Sequence, residues 1–85
     1  MKRKLSYNWI VKGTVRVHVY GTGSGVRVCL FIYQSAANGM TSTEYTNDQG
    51  DAYIEVNTDA GADAEVYVGG QKKTSRASIQ DTYYI

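Results

Sequence analysis

The chain has 85 residues, of which 42% are hydrophobic and 20% charged, and a net charge of +1. That length supports one domain with a thin core, and the balance of apolar and charged residues excludes a disordered chain. The near-zero charge argues against a nucleic-acid partner, whose binding rests on many cationic contacts to phosphates.

Eight Tyr, nine Gly and no Pro accompany many Val and Thr, a composition that suits pleated, half-buried strands joined by tight turns. The Lys2-Arg3-Lys4 cluster reads as a solvated terminus. It also resembles the start of a signal peptide, but Leu5 to Lys12 is no apolar h-region and no signal peptide is expected. Nothing approaches the roughly 20 apolar residues of a membrane span, so no membrane insertion is expected.

In chain order, Leu5, Tyr7, Trp9 and Val11 alternate with Ser6, Asn8 and Ile10, so residues 1–10 read as a loosely ordered or edge-strand segment of the single domain 1–85. Val15, Val17 and Val19 alternate with Thr14, Arg16, His18 and Tyr20, the cleanest strand signal in the chain. Gly21-Thr22-Gly23-Ser24-Gly25 reads as a hairpin loop. It matches a phosphate loop only in composition, because a strand rather than a helix follows it.

The next strand, Val26 to Tyr33, has Val26, Val28, Leu30 and Ile32 on one face and Arg27, Cys29, Phe31 and Tyr33 on the other. Apolar residues on both faces predict a central strand, covered on both sides. Asn38-Gly39 marks a turn in the loop that follows, and the polar run Thr41 to Thr46 predicts a strand near an edge. Asn47-Asp48-Gln49-Gly50 is a strong turn: the Asn and Asp side chains bond local amides, and Gly takes positive φ.

Ala52, Ile54 and Val56 then alternate with Asp51, Tyr53, Glu55 and Asn57, and Ala64, Val66 and Val68 with Glu65 and Tyr67. Gly69-Gly70 turns the chain again. Ala77, Ile79, Tyr83 and Ile85 suggest a last strand, interrupted at Asp81. Turn signals every 8–12 residues or so define the fold class: an all-β, small antiparallel β-sandwich of about six to seven strands.

The order of these pieces resembles the carboxypeptidase-regulatory-like group within the transthyretin-like (prealbumin-like) sandwiches, an immunoglobulin/transthyretin-like architecture. The likeness is carried by Val11-Lys12-Gly13-Thr14-Val15, by Gly25-Val26-Arg27-Val28 and by Thr46-Asn47-Asp48-Gln49-Gly50-Asp51-Ala52-Tyr53. Ala52 stands where the group usually has a core aromatic. The resemblance implies a non-catalytic folding module of the kind found on secreted enzymes, adhesins, outer-membrane receptors and virion proteins, which favours an extracellular surface or virion. Related adhesin domains form a Lys–Asn isopeptide for which Lys12 fits as the amine, but no Asn follows Asn57 to accept it.

Chemistry is sparse. His18 is the single histidine and Cys29 the single cysteine, so a zinc site and an internal disulfide are both excluded within the chain. An outward His18 on a strand reads as a solvated residue, and Cys29 beside Phe31 as a small buried hydrophobe. Glu55 and Glu65, outward on successive strands, form the one carboxylate pair to weigh, but a thin sandwich offers no cleft to set their pKa values apart. Asn47, Asp48, Asp51, Asp59 and Asp63 carry oxygens of the type calcium takes, yet lack EF-hand spacing and suit turns.

No catalytic residue, metal site or cofactor is therefore expected. What stands out is the aromatic load at outward positions: Tyr20, Phe31, Tyr33, Tyr53 and Tyr67. Scattered surface tyrosines are common in strands. Gathered on one sheet, these five would form a partner-binding surface. The reading is a non-catalytic structural or protein-interaction module, self-associating or part of a surface or virion assembly. The alternative is a carbohydrate-binding module that uses the same aromatics.

Overall fold

The computed structural model of the protein describes residues 10–34, 38–59 and 61–85. The signals at Lys2–Lys4 and at Leu5, Tyr7 and Trp9 lie outside them, as does the side chain of Lys12.

Among the described residues the structure is all-β, with nine strands in two sheets packed as a small sandwich. No helix is long and apolar enough to cross a membrane. The strands are β1 (Ile10–His18), β2 (Arg27–Tyr33), β3 (Gly39–Met40), β4 (Glu44–Tyr45), β5 (Asp51–Asp59), β6 (Asp63–Val68), β7 (Gln71–Lys72), β8 (Ala77–Ser78) and β9 (Thr82–Tyr84). The count exceeds six or seven because short strands form at Gly39–Met40 and Gln71–Lys72, where a loop and a turn were expected, and because the last segment divides into β8 and β9.

One sheet has the order β5-β1-β9; the other is built on β2 and β6, with β3 and β4 along the outside of β2 and β7 and β8 along the outside of β6. The alternation read from the sequence sets the core. Val15, Val17, Ala52, Ile54, Val56 and Tyr83 from the first sheet meet Val28, Leu30, Ile32, Ala64, Val66 and Val68 from the second in one buried cluster. Ala52 is fully buried, and Tyr83, entering from β9, supplies an aromatic to the same core.

Three expectations change. Gly21–Gly25 is not a hairpin loop: β1 and β2 belong to different sheets, so the segment arches across the sandwich. The sandwich is not wholly antiparallel, since β9 runs parallel to β1, with Val17 beside Tyr83. After β8 the chain crosses from the second sheet to the first through Ile79–Asp81, and such a crossover lets neighbouring strands run the same way. The Asp81 carbonyl accepts from the Arg16 amide at that crossing, so the break in alternation at Asp81 marks the change of sheet. Lastly, the polar run Thr41 to Thr46 is strand only at Glu44–Tyr45.

The two edges of the second sheet are finished the same way. Leu30 and Val66 form one rung of the β2–β6 ladder. Outside Leu30, where β3 and β4 separate, the Thr41 hydroxyl accepts from the Leu30 amide. Outside Val66, where β7 and β8 separate, the Thr74 hydroxyl accepts from the Val66 amide. A third hydroxyl, of Thr46, accepts from the Val26 amide and donates to the Gly23 carbonyl. Threonine side chains thus satisfy backbone donors where an edge strand has bent away, and they interrupt what would otherwise be long pairing edges.

Candidate functional site

The five outward aromatics are divided between the sheets. Phe31, Tyr33 and Tyr67 share the outer face of β2 and β6, whereas Tyr53 lies on the outer face of β5 and Tyr20 just beyond the end of β1.

On the β2–β6 face the side chains are engaged with one another. Phe31 and Tyr33 meet edge to face with ring centroids 4.7 Å apart. Phe31 stands opposite Glu65 and Tyr33 opposite Asp63 in the ladder. The Tyr33 hydroxyl donates to Glu65 at 2.9 Å, and Lys72 reaches the other carboxylate oxygen at 3.4 Å. Arg76 lies 4.0 Å over the Tyr33 ring and pairs with Asp63 at 2.9 Å. Glu65 is left only 5% exposed although its position points away from the core. The Glu65 hydrogen bond, with burial second, raises the Tyr33 phenol above its ordinary pKa.

Three expectations are corrected on this face. Among the described residues no further layer covers this face, and Phe31 and Tyr33 pack on each other with Tyr33 bonded to Glu65. Cys29 is half-buried rather than buried, and its thiol is shifted upward by burial. Glu55 and Glu65 are not neighbours, since β5 and β6 lie in opposite sheets; Glu55 instead accepts from the Thr14 hydroxyl at 2.9 Å.

The face of β5, β1 and β9 is open. Tyr20, Tyr53 and Tyr84 are 64%, 51% and 60% exposed. Beneath them is a polar network that starts from the turn. Asn47 Oδ1 accepts from the Gln49 and Asp51 amides, and the Asn47 amide donates to the Asp51 carbonyl. Gly50 takes φ +84, and a Cβ on it would stand 2.7 Å from the Val19 carbonyl oxygen, so this tight return requires glycine. The Val19 amide bonds the Gly50 carbonyl, which makes His18 and Asp51 the next, non-hydrogen-bonded pair of the ladder, where side chains approach most closely.

His18 Nδ1 accordingly lies 2.7 Å from Asp51 Oδ1. An ionised carboxylate only accepts, so Nδ1 carries the proton of that bond. Arg16 donates to the same oxygen from Nε at 3.1 Å. Asp51, 8% exposed, is held below the ordinary carboxylate pKa chiefly by the His18 hydrogen bond and then by Arg16, against the opposing effect of burial.

The His18 ring meets Tyr20 edge to face at 4.9 Å and Tyr84 at 6.2 Å, while Tyr20 and Tyr84 lie nearly parallel at 6.3 Å. Arg16 sits 5.7 Å from the Tyr84 ring and opposite Tyr53 in the ladder. His18 is thus outward as expected but not simply solvated. Sequence reasoning passed over three members of this site. Tyr84 was available by parity once Tyr83 is inward; Asp51 and Arg16 needed the β1–β5 register, which no local pattern encodes.

The oxygens weighed for calcium are dispersed or engaged: Asp51 with His18 and Arg16, Asn47 with backbone amides, and Asp63 with Arg76 on the other sheet. Among the described residues no group of three or more His, Cys, Asp or Glu side chains is placed to hold a metal ion. No known protein family, curated protein or solved structure matches the chain.

Proposed function

We propose that the protein is a non-catalytic protein-interaction module that binds its partner through the outer face of β5, β1 and β9. One observation carries this reading: Tyr20, Tyr53 and Tyr84 stand half or more exposed around Arg16 and the His18–Asp51 pair. Tyr and Arg are the residues interfaces concentrate, and Asp51 anchors Arg16 and His18, so little ordering remains to be done on binding. The five-residue surface expected from the sequence narrows to Tyr20 and Tyr53, joined by Tyr84. Phe31 and Tyr33 are assigned to the closed face of the other sheet, on which Tyr67 also lies. The resemblance to carboxypeptidase-regulatory-like domains supports a module of this kind, on a cell surface or in a virion.

A second reading, sugar binding, is favoured by the two nearly parallel Tyr20 and Tyr84 rings beside hydrogen-bonding Arg16, His18 and Asp51.

The test is affinity capture from the native source with wild type, Tyr20→Ser/Tyr84→Ser and Tyr45→Ser, the last an exposed tyrosine on the other sheet. A protein captured by wild type and Tyr45→Ser but lost from the double variant is the expected result. Equal capture by all three overturns the reading. Amide shifts at Arg16, His18 and Tyr84 on adding soluble oligosaccharides would move the assignment to sugar.

A further inference from the structure

Among the described residues, strand β5 is paired with β1 on one side and with no strand on the other. The Val19–Gly50 bond fixes the phase of that pairing. Ala52, Ile54 and Val56 direct their backbone groups at β1, and Tyr53, Glu55 and Asn57 direct theirs outward. At its start this outer edge is closed, since the Asp51 carbonyl is taken by the Asn47 amide and β4 lies alongside. From Glu55 onward it borders a cleft of about 270 Å³ between the sheets, into which Ile32, Met40 and Val56 face. Outward amides and carbonyls along a strand edge are a template for another strand.

We infer that β5 of a second copy fills this edge, antiparallel, about a two-fold axis at Val56, joining two sandwiches into one continuous sheet. Outward groups must meet outward groups, which leaves few registers. An axis at Glu55 sets two carboxylates face to face, which is unfavourable. An axis at Ile54 drives the partner strand against the occupied Asp51 carbonyl. An axis at Asn57 leaves Tyr53 facing a position beyond Asp59, where the strand ends. An axis at Val56 sets Glu55 against the partner's Asn57, amide to carboxylate, and brings Val56 over the cleft toward the partner's Val56. Such an isologous pair closes on itself, and each copy supplies what the other needs. Tyr20, beyond the end of β1, and Tyr84, across β1 on β9, lie away from the joined edge.

Sedimentation equilibrium at micromolar concentration tests the pairing. Wild type and Tyr20→Ser/Tyr84→Ser are expected to dimerise alike. Asn57→Pro, which removes an outward amide and none directed at β1, is expected to raise the dimer dissociation constant about tenfold or more. The register is read in a Cys29→Ala background, where the backbone is untouched and a misfolded proline variant is of no consequence. Mild oxidation of mixed Glu55→Cys and Asn57→Cys chains should give the cross-linked heterodimer in preference to either homodimer, because only that pair is opposed at bridging distance. A strictly monomeric wild type, or cross-linking that ignores the Glu55–Asn57 pairing, overturns the inference. So does dimerisation lost in the Tyr20→Ser/Tyr84→Ser variant and retained in Asn57→Pro.

Discussion

The two outer faces of this sandwich begin from one sequence pattern and end in opposite states. Phe31, Tyr33 and Tyr67 on one sheet, and Tyr20, Tyr53 and Tyr84 on the other, are aromatics at positions pointing away from the core. On the β2–β6 face Phe31 and Tyr33 pack edge to face and Tyr33 bonds Glu65, with Lys72 as its counter-charge, so that a carboxylate at an outward position is almost wholly buried. On the β5-β1-β9 face the charged network lies beneath and the rings stand free above it. The difference comes from what stands across the ladder. Phe31 and Tyr33 face acidic residues that their neighbours can neutralise, whereas Tyr53 faces Arg16, which is already committed to Asp51. An outward aromatic therefore does not by itself mark a binding surface.

The largest effect should come from removing the turn on which the open face is built. Gly50→Ala places a side chain at φ +84 and a Cβ against the Val19 carbonyl. We expect a loss of about 2–4 kcal/mol in urea unfolding. A loss below about 1 kcal/mol would show that the turn yields and that the His18–Asp51 register does not depend on it.

A contrast between the faces follows at smaller scale. Glu65→Ala should cost about 1–2 kcal/mol, because it strips the partner from the half-buried Tyr33 hydroxyl, while the exposed Lys72 ammonium turns to water. Tyr20→Ser and Tyr84→Ser should each stay within about 0.5 kcal/mol of wild type, as exposed substitutions do. Chemical denaturation of the three variants, with Tyr33→Phe completing a cycle against Glu65→Ala, reads the contrast directly. Comparable costs on both faces would erase the distinction on which the placement of the interface depends.

How much of this was legible in the sequence depends on the range of the signal. Alternation of period two assigns Val15, Val17, Val28, Leu30, Ile32, Ala52, Ile54, Val56, Ala64, Val66 and Val68 to the core, and all are buried. The turn at Asn47–Gly50 is equally local, and its side-chain bonds and positive φ are as expected. Which sheet a strand joins is not local. Gly21–Gly25 has the composition of a hairpin but carries the chain across the sandwich, because glycine permits both paths and the core decides between them. The site was half visible for the same reason: Tyr20 and Tyr53 follow from parity, but their grouping with Arg16, His18 and Asp51 exists only once β1 and β5 are in register. The burial of Glu65 was hidden too, since parity gives a direction and not what neighbouring side chains do above it.

The subtlest expected difference is one of pH, and it isolates the network beneath the open face. Asp51 is held below its ordinary value of 3.8 by the His18 hydrogen bond first and Arg16 next. A carboxylate whose folded pKa is depressed adds stability that is complete above its unfolded value and is lost as pH falls through the folded one. The gap in melting temperature between wild type and Asp51→Asn should therefore shrink as pH falls below about 4. Titrating groups that do not touch Asp51 are common to both proteins and cancel in the difference. The matching pair on the closed face, wild type and Tyr33→Phe, should show no such change in this range, because the Tyr33 phenol is shifted upward and stays protonated throughout. A gap for Asp51→Asn that stays constant down to about pH 2 would mean that the ionised carboxylate is not what holds Arg16 and His18. The tyrosines would then stand over a scaffold set by backbone alone.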